Sequence, residues 1–259
     1  MDQASTLRQI VGQQQPDGPP RKLKKGHTRV IAVTSGKGGV GKTNVVLNLA
    51  LALAQMGRKV FILDADLGLA NVDVLLGLTP KYTLENVLSG HKPIEDVVLT
   101  GPHDLKILPS GSGINELSEM TFEQQMQLFK ELSRINEEMD YLFIDTGAGI
   151  SSSVLRFNAS ASEVVLVSNP EPTAITDAYA LMKLLAIKYH IRDFKLIANS
   201  ANSERDGQSV FDRLNQVGNQ FLQVNIQFLG SIPLDNHLRK CVRLQNPLMT
   251  AFPQAPAAK

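Results

Sequence analysis

Apolar positions along the chain fall into short unbroken runs separated by longer periodic stretches. RVIAVT, beginning at Arg29, is a β-branched run that ends at a glycine-rich loop; KVFILDAD, YLFIDTGAG and EVVLVSNP repeat the arrangement. Runs without polar alternation predict strands buried on both faces. FKLIANSA and QFLGSIP close the series, and DLKILPSG reads as a further strand. Helical patterns lie between them. NVVLNLALALAQMG is a helix closed by Gly57, and TFEQQMQLFKELSRINEEM opens with a capping box, Thr121 and Gln124. TAITDAYALMKLLAIKYH sets Ile175, Ala178, Tyr179, Met182, Leu185, Ala186 and Tyr189 on one face. Strands alternating with helices, joined by right-handed crossovers, predict a doubly wound α/β fold: a mostly parallel sheet with helices on both faces.

The two ends read differently. Residues 1–12 form one short helix by spacing, with Ala4, Leu7 and Val11 aligned, and 13–27, rich in Gln, Pro and Lys, reads as a flexible tether. Up to Gly26, five cations oppose two anions. RKLKK is read as solvated linker, with contact to an acidic partner or lipid head groups as the alternative. The folded domain is expected over 28–252, followed by a tail, 253–259.

Composition narrows the classes. The chain has 259 residues, 43% of them apolar, so a sizeable core is available, filled by Val, Leu, Ile and Ala in the absence of Trp. A net charge of +1 argues against coating nucleic acid by bulk charge. Cys241 is the sole cysteine, which excludes an intrachain disulfide and a cysteine-only metal cage and fits a reducing cytosol. MDQASTLRQI lacks the cationic start and apolar run of a secretory signal. VVLNLALALAQM, interrupted by Asn48, is too short to span a bilayer.

The chemistry concentrates in GKGGVGKT, Gly36 to Thr43, between a predicted strand and a predicted helix. It matches the phosphate-loop pattern G-x-x-x-x-G-K-[ST]. Gly36, Gly38, Gly39, Val40 and Gly41 let successive backbone N–H groups face a polyphosphate, and the following helix N-terminus adds positive potential. Lys42 is expected on the β- and γ-phosphates and the Thr43 hydroxyl on Mg²⁺. Asp145 ends a strand expected beside the first, which places its carboxylate near the metal through water. Asp64 is expected near the metal as well. Asp66, on the loop beyond, either positions the attacking water or caps the loop start. Asp73 is expected to cap or pair locally. Lys37 projects from the loop's mouth with no evident partner in its own subunit. It is either a solvated charge or a cation offered to the nucleotide of a second subunit, as an arginine finger is.

KGGVGKT, with that first lysine, resembles the deviant Walker A motif of the MinD/ParA ATPases, and DADLGLANVDVLLG and FIDTGAGI resemble that family's switch segments. The likeness runs from about Val30 to Phe252 and implies a MinD-like P-loop fold. In that family ATP drives a sandwich dimer in which the signature lysine crosses to the partner. The resemblance makes Lys37 the signature lysine, Lys42 the phosphate lysine, Thr43 the magnesium ligand, Asp66 the water-positioning residue and Asp145 the water-linked magnesium residue. Asn199 resembles the family's adenine-reading asparagine, with strand-end capping as the alternative. Pro233 and Asp235 resemble its second adenine-side segment.

Within the family, PKYTLENVLSG, PEPTAITDAYALMKLL and the N-terminal DQASTLR resemble the FlhG (FleN) subfamily, which regulates flagellar number. That resemblance implies a slow, dimer-dependent ATPase. It also implies that the N-terminal motif stimulates an FlhF-type GTPase, Asp2, Gln3 and Arg8 offering polar contacts and Ala4 and Leu7 apolar ones. The alternative for this helix is folding back on its own domain. A flagellar transcription activator and the flagellar switch (C-ring) proteins are further partners by resemblance. Such proteins continue into an amphipathic membrane helix, whereas this chain stops after LMTAFPQAPAAK, and a truncated chain is the expectation. The full-length form is then cytoplasmic, peripheral on the inner membrane face when ATP-bound and sited at a cell pole. Three other readings stand beside this one. A ParA-type partition ATPase needs a basic DNA surface, and no direct nucleic-acid contact is expected here. A nitrogenase-reductase-like carrier needs more cysteines. A nucleotide-gated adaptor needs no appreciable hydrolysis.

Overall fold

In the computed structural model the described residues are 28–66, 71–111, 120–135 and 139–259. The N-terminal helix and tether expected over 1–27 lie outside them. The first strand, β1 (Arg29–Ser35), is followed by α1 (Lys42–Gln55) and β2 (Val60–Ala65). Three short helices come next: α2 (Val72–Leu75), α3 (Leu84–Leu88) and α4 (Ile94–Val97). β3 (Leu99–Thr100) and β4 (Lys106–Leu108) precede α5 (Phe122–Ile135) and β5 (Tyr141–Ala148). The remainder is α6 (Ser152–Ser160), β6 (Glu163–Ser168), α7 (Pro172–Tyr189), β7 (Asp193–Ala201), α8 (Glu204–Phe221), β8 (Asn225–Pro233), α9 (Asn236–Leu244) and α10 (Leu248–Ala251).

One eight-stranded sheet runs β3-β4-β2-β5-β1-β6-β7-β8. Every pairing is parallel except β3 with β4, which is antiparallel at the edge. The doubly wound fold is therefore the one the pattern of runs predicts. β1 and β2 are buried almost throughout because side chains alternate between two covered faces. Ile31, Val33, Val60, Ile62, Val165 and Ile197 enter the core beneath α1. Val30, Ala32, Phe61, Leu63, Leu142 and Ile144 enter the opposite core with α5, where Phe129 and Phe157 meet edge to face. On that same face Leu166, Leu196 and Ala198 pack with α7 and α8.

Local signals held where they were strong. The capping box is present: the Thr121 amide donates to Gln124 Oε1 and the Gln124 amide to Thr121 Oγ1. α7 forms with Pro172 in its first turn, where a missing N–H is harmless. Its buried face is rotated slightly from the predicted one: Ala174 and Leu181 are buried, while Ile175, Tyr179 and Tyr189 sit at the margin. DLKILPSG forms only the short β4. The segment 253–259 packs against the domain, with Ala255 buried beside Cys241 and Leu248. Among the described residues no helix is long and apolar enough to cross a membrane.

Candidate functional site

The sheet's carboxyl edge carries the site, where ligands bind in open α/β sheets. β1 delivers the loop 36–41 and α1 begins at Lys42. Gly41 sits at φ 87, a left-handed conformation that L side chains rarely adopt, and so presents its backbone as the first turn of α1 starts. Gly36 is required by contact instead: a Cβ there would lie 2.1 Å from the backbone carbon of Asp177, because α7 presses on the loop from behind.

The Lys42 ammonium points inward and donates to Asp145 Oδ1 at 2.7 Å, with both side chains buried. β5 does lie beside β1, and β2 lies on its other side with Asp64 in register with Asp145. Two buried carboxyls in register on adjacent strands cannot both ionise cheaply. Burial and the neighbouring Asp145 push the Asp64 carboxyl up to about 8. The Asp64 contacts are structural: Oδ1 accepts from the Asp66 amide at 3.1 Å, and Oδ2 accepts from the Asn71 and Val72 amides at 3.2 and 3.4 Å. Asp64 thus staples both ends of the loop beyond β2. Asp145 Oδ2, by contrast, is buried without a hydrogen-bond partner among the described residues. An unpartnered carboxylate oxygen beside a second carboxyl is a chemical fit for a hydrated cation. Thr43, the second residue of α1, follows the phosphate loop directly. Asp73 pairs locally, its Oδ1 accepting from the Val74 amide.

Asp66 follows β2 directly, and its carbonyl accepts from Ser110 Oγ at 3.3 Å. Its carboxylate lies against the carboxyl end of β5: a Cβ added to Gly147 would come within 3.7 Å of Asp66 Oδ1. Asp66, Asp145 and the phosphate loop are thus brought to one edge.

Lys37 corrects an expectation. Its ammonium has partners in its own subunit, Glu171 Oε2 at 2.6 Å and Thr173 Oγ1 at 2.9 Å. The Lys37 side chain is 37% exposed and that of Glu171 57%. The hydrogen bond and charge of Lys37 hold the Glu171 carboxyl below its usual range. An exposed pair of this kind is screened by water and contributes little, so a triphosphate can displace it. Sequence reasoning missed Glu171 and Thr173 as site residues; the available signal was PEPT opening a helix just past a strand's carboxyl end.

Asn199 is buried, and its Nδ2 donates to the Val40 carbonyl at 2.7 Å, bracing the phosphate loop from β7. Asn199, Pro233 and Asp235 line one cleft of about 600 Å³ beside α1, with Asn44, Ser231 and Leu238. That volume lies within the range of ligand sites. The Asp235 carboxylate is engaged at both oxygens: Oδ1 accepts from the His237 amide at the start of α9, and Oδ2 from the Ala257 amide. Asp2, Gln3, Ala4, Leu7 and Arg8 lie outside the described residues.

A strand–glycine loop–helix with an inward lysine, at the switch edge of a parallel sheet, defines a P-loop NTPase. Comparison with known proteins places it further. The ParA family model, described as NUBPL iron-transfer P-loop NTPase, matches residues 26–259. Antiactivator FleN of Pseudomonas aeruginosa is 50% identical over 230 residues, covering 89% of this chain and 82% of that protein. Flagellum site-determining protein YlxH of Helicobacter pylori is 34% identical over 230 residues, covering 88% and 78%. Among solved structures, the septum site-determining protein MinD from Pyrococcus horikoshii, complexed with Mg-ADP, superposes with a TM-score of 0.71 at 29% identity, covering 89% of this chain and 91% of that one. The chain belongs to the MinD/ParA family of P-loop NTPases, and its relatives include FleN.

Proposed function

We propose that this chain is an ATP-driven switch in which ATP pairs two copies, slow hydrolysis separates them, and the cycle controls flagellar number and placement. The observation that carries it is the division of labour between two lysines on one loop. Lys42 is buried on Asp145, whereas Lys37 stands at the open edge in a weak, exposed pair. A cation so held is ready for the γ-phosphate of a facing copy. Backbone N–H groups of Gly36 to Gly41 and the Lys42 ammonium bind the polyphosphate; Thr43 and Asp145 hold Mg²⁺, and Asp66 orients water. The metal, when bound, neutralises charge on the β- and γ-phosphates. The cleft of Asn199, Pro233 and Asp235 takes the base. The flagellar assignment is supported by the relatives, one an antiactivator and one a flagellum site-determining protein. By the same likeness, the partners are a transcription activator, C-ring proteins and an FlhF-type GTPase, and the setting is the cytoplasm and the inner membrane face. Iron transfer, which the matching family model describes, gains no support from a sequence with one cysteine.

Size exclusion with light scattering tests the reading. Wild type is expected to dimerise with a slowly hydrolysed ATP analogue and to stay monomeric with ADP. Lys37→Ala is expected to stay monomeric with either. A Lys37→Ala protein that pairs and hydrolyses normally removes the basis of the proposal. Separately, deleting residues 1–12 is expected to leave ATP binding intact and to abolish stimulation of the GTPase, measured as GTP turnover; stimulation that survives the deletion excludes the N-terminal motif.

A further inference from the structure

We propose that Thr146 is a positioning residue for hydrolysis. Seated in a bulge between β1 and β5, with Thr34 and Asn158 behind it, its hydroxyl holds the segment Gly147–Gly149, the end of β5 and the residue after it, against Asp66 and the phosphate loop. The inference rests on the ATPase reading above and goes beyond it.

β1 and β5 are in step from Arg29 opposite Tyr141 to Val33 opposite Asp145, but Ser35 then faces Ala148. β5 therefore carries one extra residue where Thr34 stands on β1. Bulges in parallel pairs are rare, and bulges in general gather beside active sites, where they re-aim side chains. Here the bulge directly follows Asp145, which holds Lys42, and takes in Gly147, which approaches Asp66.

A buried polar cluster fills it. Thr34, Thr146 and Asn158 are all 0% exposed. Thr146 Oγ1 lies 3.1 Å from the Val33 carbonyl, 3.0 Å from Thr34 Oγ1 and 3.0 Å from the Gly147 carbonyl. A hydroxyl has one proton, so these acceptors compete, and the choice ties the loop's first carbonyl to β1. Asn158, from α6, donates to Thr34 Oγ1 at 3.2 Å and to the Val154 carbonyl at 2.8 Å. Its Oδ1 is buried with no hydrogen-bond partner among the described residues. An apolar side chain of the same shape would avoid that desolvation cost, so stability alone does not account for an asparagine here.

The loop beyond reaches three parts of the site. Gly147 lies against Asp66 Oδ1; a Cβ on Gly38 would stand 4.0 Å from the Ala148 Cβ; and the Gly149 amide donates to the Ser35 carbonyl at 2.9 Å. A small shift of the bulge moves all three contacts together. The contact with the phosphate loop is the loosest of the three, a van der Waals approach at Gly38, and Lys42 is held by Asp145 rather than by the cluster, so binding of the β-phosphate depends little on it. The effect is therefore expected in turnover rather than in affinity.

The test measures kcat, KM for ATP, ADP affinity and melting temperature for wild type, Thr146→Val, Thr146→Ser and Asn158→Leu. Thr146→Val is expected to lower kcat on the order of 10-fold or more, as small misplacements of reacting groups do. Its KM and ADP affinity are expected to match wild type, and Thr146→Ser to restore kcat. Asn158→Leu is expected to lower kcat in the same direction while melting no lower than wild type. The inference is overturned if Thr146→Val turns over at the wild-type rate. It is equally overturned if every loss of kcat tracks a loss of melting temperature and ADP affinity that serine does not rescue. Wild type without ATP turnover defeats the proposed function and this inference together; active wild type with an equally active Thr146→Val defeats this inference alone.

Discussion

An Asp66→Ala protein is expected to bind ATP, pair, and remain paired, while phosphate release falls roughly 100-fold or more, the usual loss when a positioned group that handles the attacking water is removed. The reason is placement. Asp66 stands just past β2, outside the buried Lys42–Asp145 pair, and its carboxylate lies near Gly147 at the end of β5. Truncation therefore leaves the phosphate-binding groups in place. The backbone bonds of residue 66, its amide to Asp64 and its carbonyl to Ser110, do not need the side chain, so the loop should survive. Phosphate release and light scattering on one sample check the prediction. Turnover at the wild-type rate, or failure to pair with ATP, would remove Asp66 from the role assigned to it.

Lys42→Ala should fail in two ways at once. It removes the cation that binds the β- and γ-phosphates, so nucleotide binding is lost. It also strands the Asp145 carboxylate, fully buried beside Asp64. Breaking one side of a buried ion pair costs about 3–5 kcal/mol. In a chain of this size that lowers the melting temperature on the order of 10 °C. Adding Asp145→Asn to Lys42→Ala is expected to recover most of that temperature without restoring nucleotide binding. Melting curves and ADP titration of the single and double variants separate the two effects. A single variant that melts like wild type would show that the pair contributes nothing to the fold.

Much of this site was legible before any coordinates. The phosphate-loop motif is contiguous, so spacing alone was enough to propose roles for Gly36, Gly41, Lys42 and Thr43. Asp145 was legible because an apolar run leads to a carboxylate, although β5 does not end there as expected but continues to Ala148. What escaped depended on residues distant in sequence. Nothing near Lys37 announces Glu171 or Thr173, which meet it because α7 crosses behind Gly36. Asn199 was read by resemblance as a base reader, with strand-end capping as the alternative. Its bond to the Val40 carbonyl exists only because β7 lies two strands from β1. Asp64 was assigned to the metal from its strand position, and its capture by three backbone amides depends on how the loop beyond β2 returns.

By itself the sequence determined the fold class, the class of ligand and the position of the phosphate grip. Each of these follows from local periodicity or from a motif whose parts are neighbours in the chain. Only the tertiary structure decided where Lys37 rests, which Asp145 oxygen is left open, and that β5 carries an extra residue opposite Thr34. Strand order and register bring those groups together, and they are set by long-range packing of both sheet faces, to which no single stretch of chain has access.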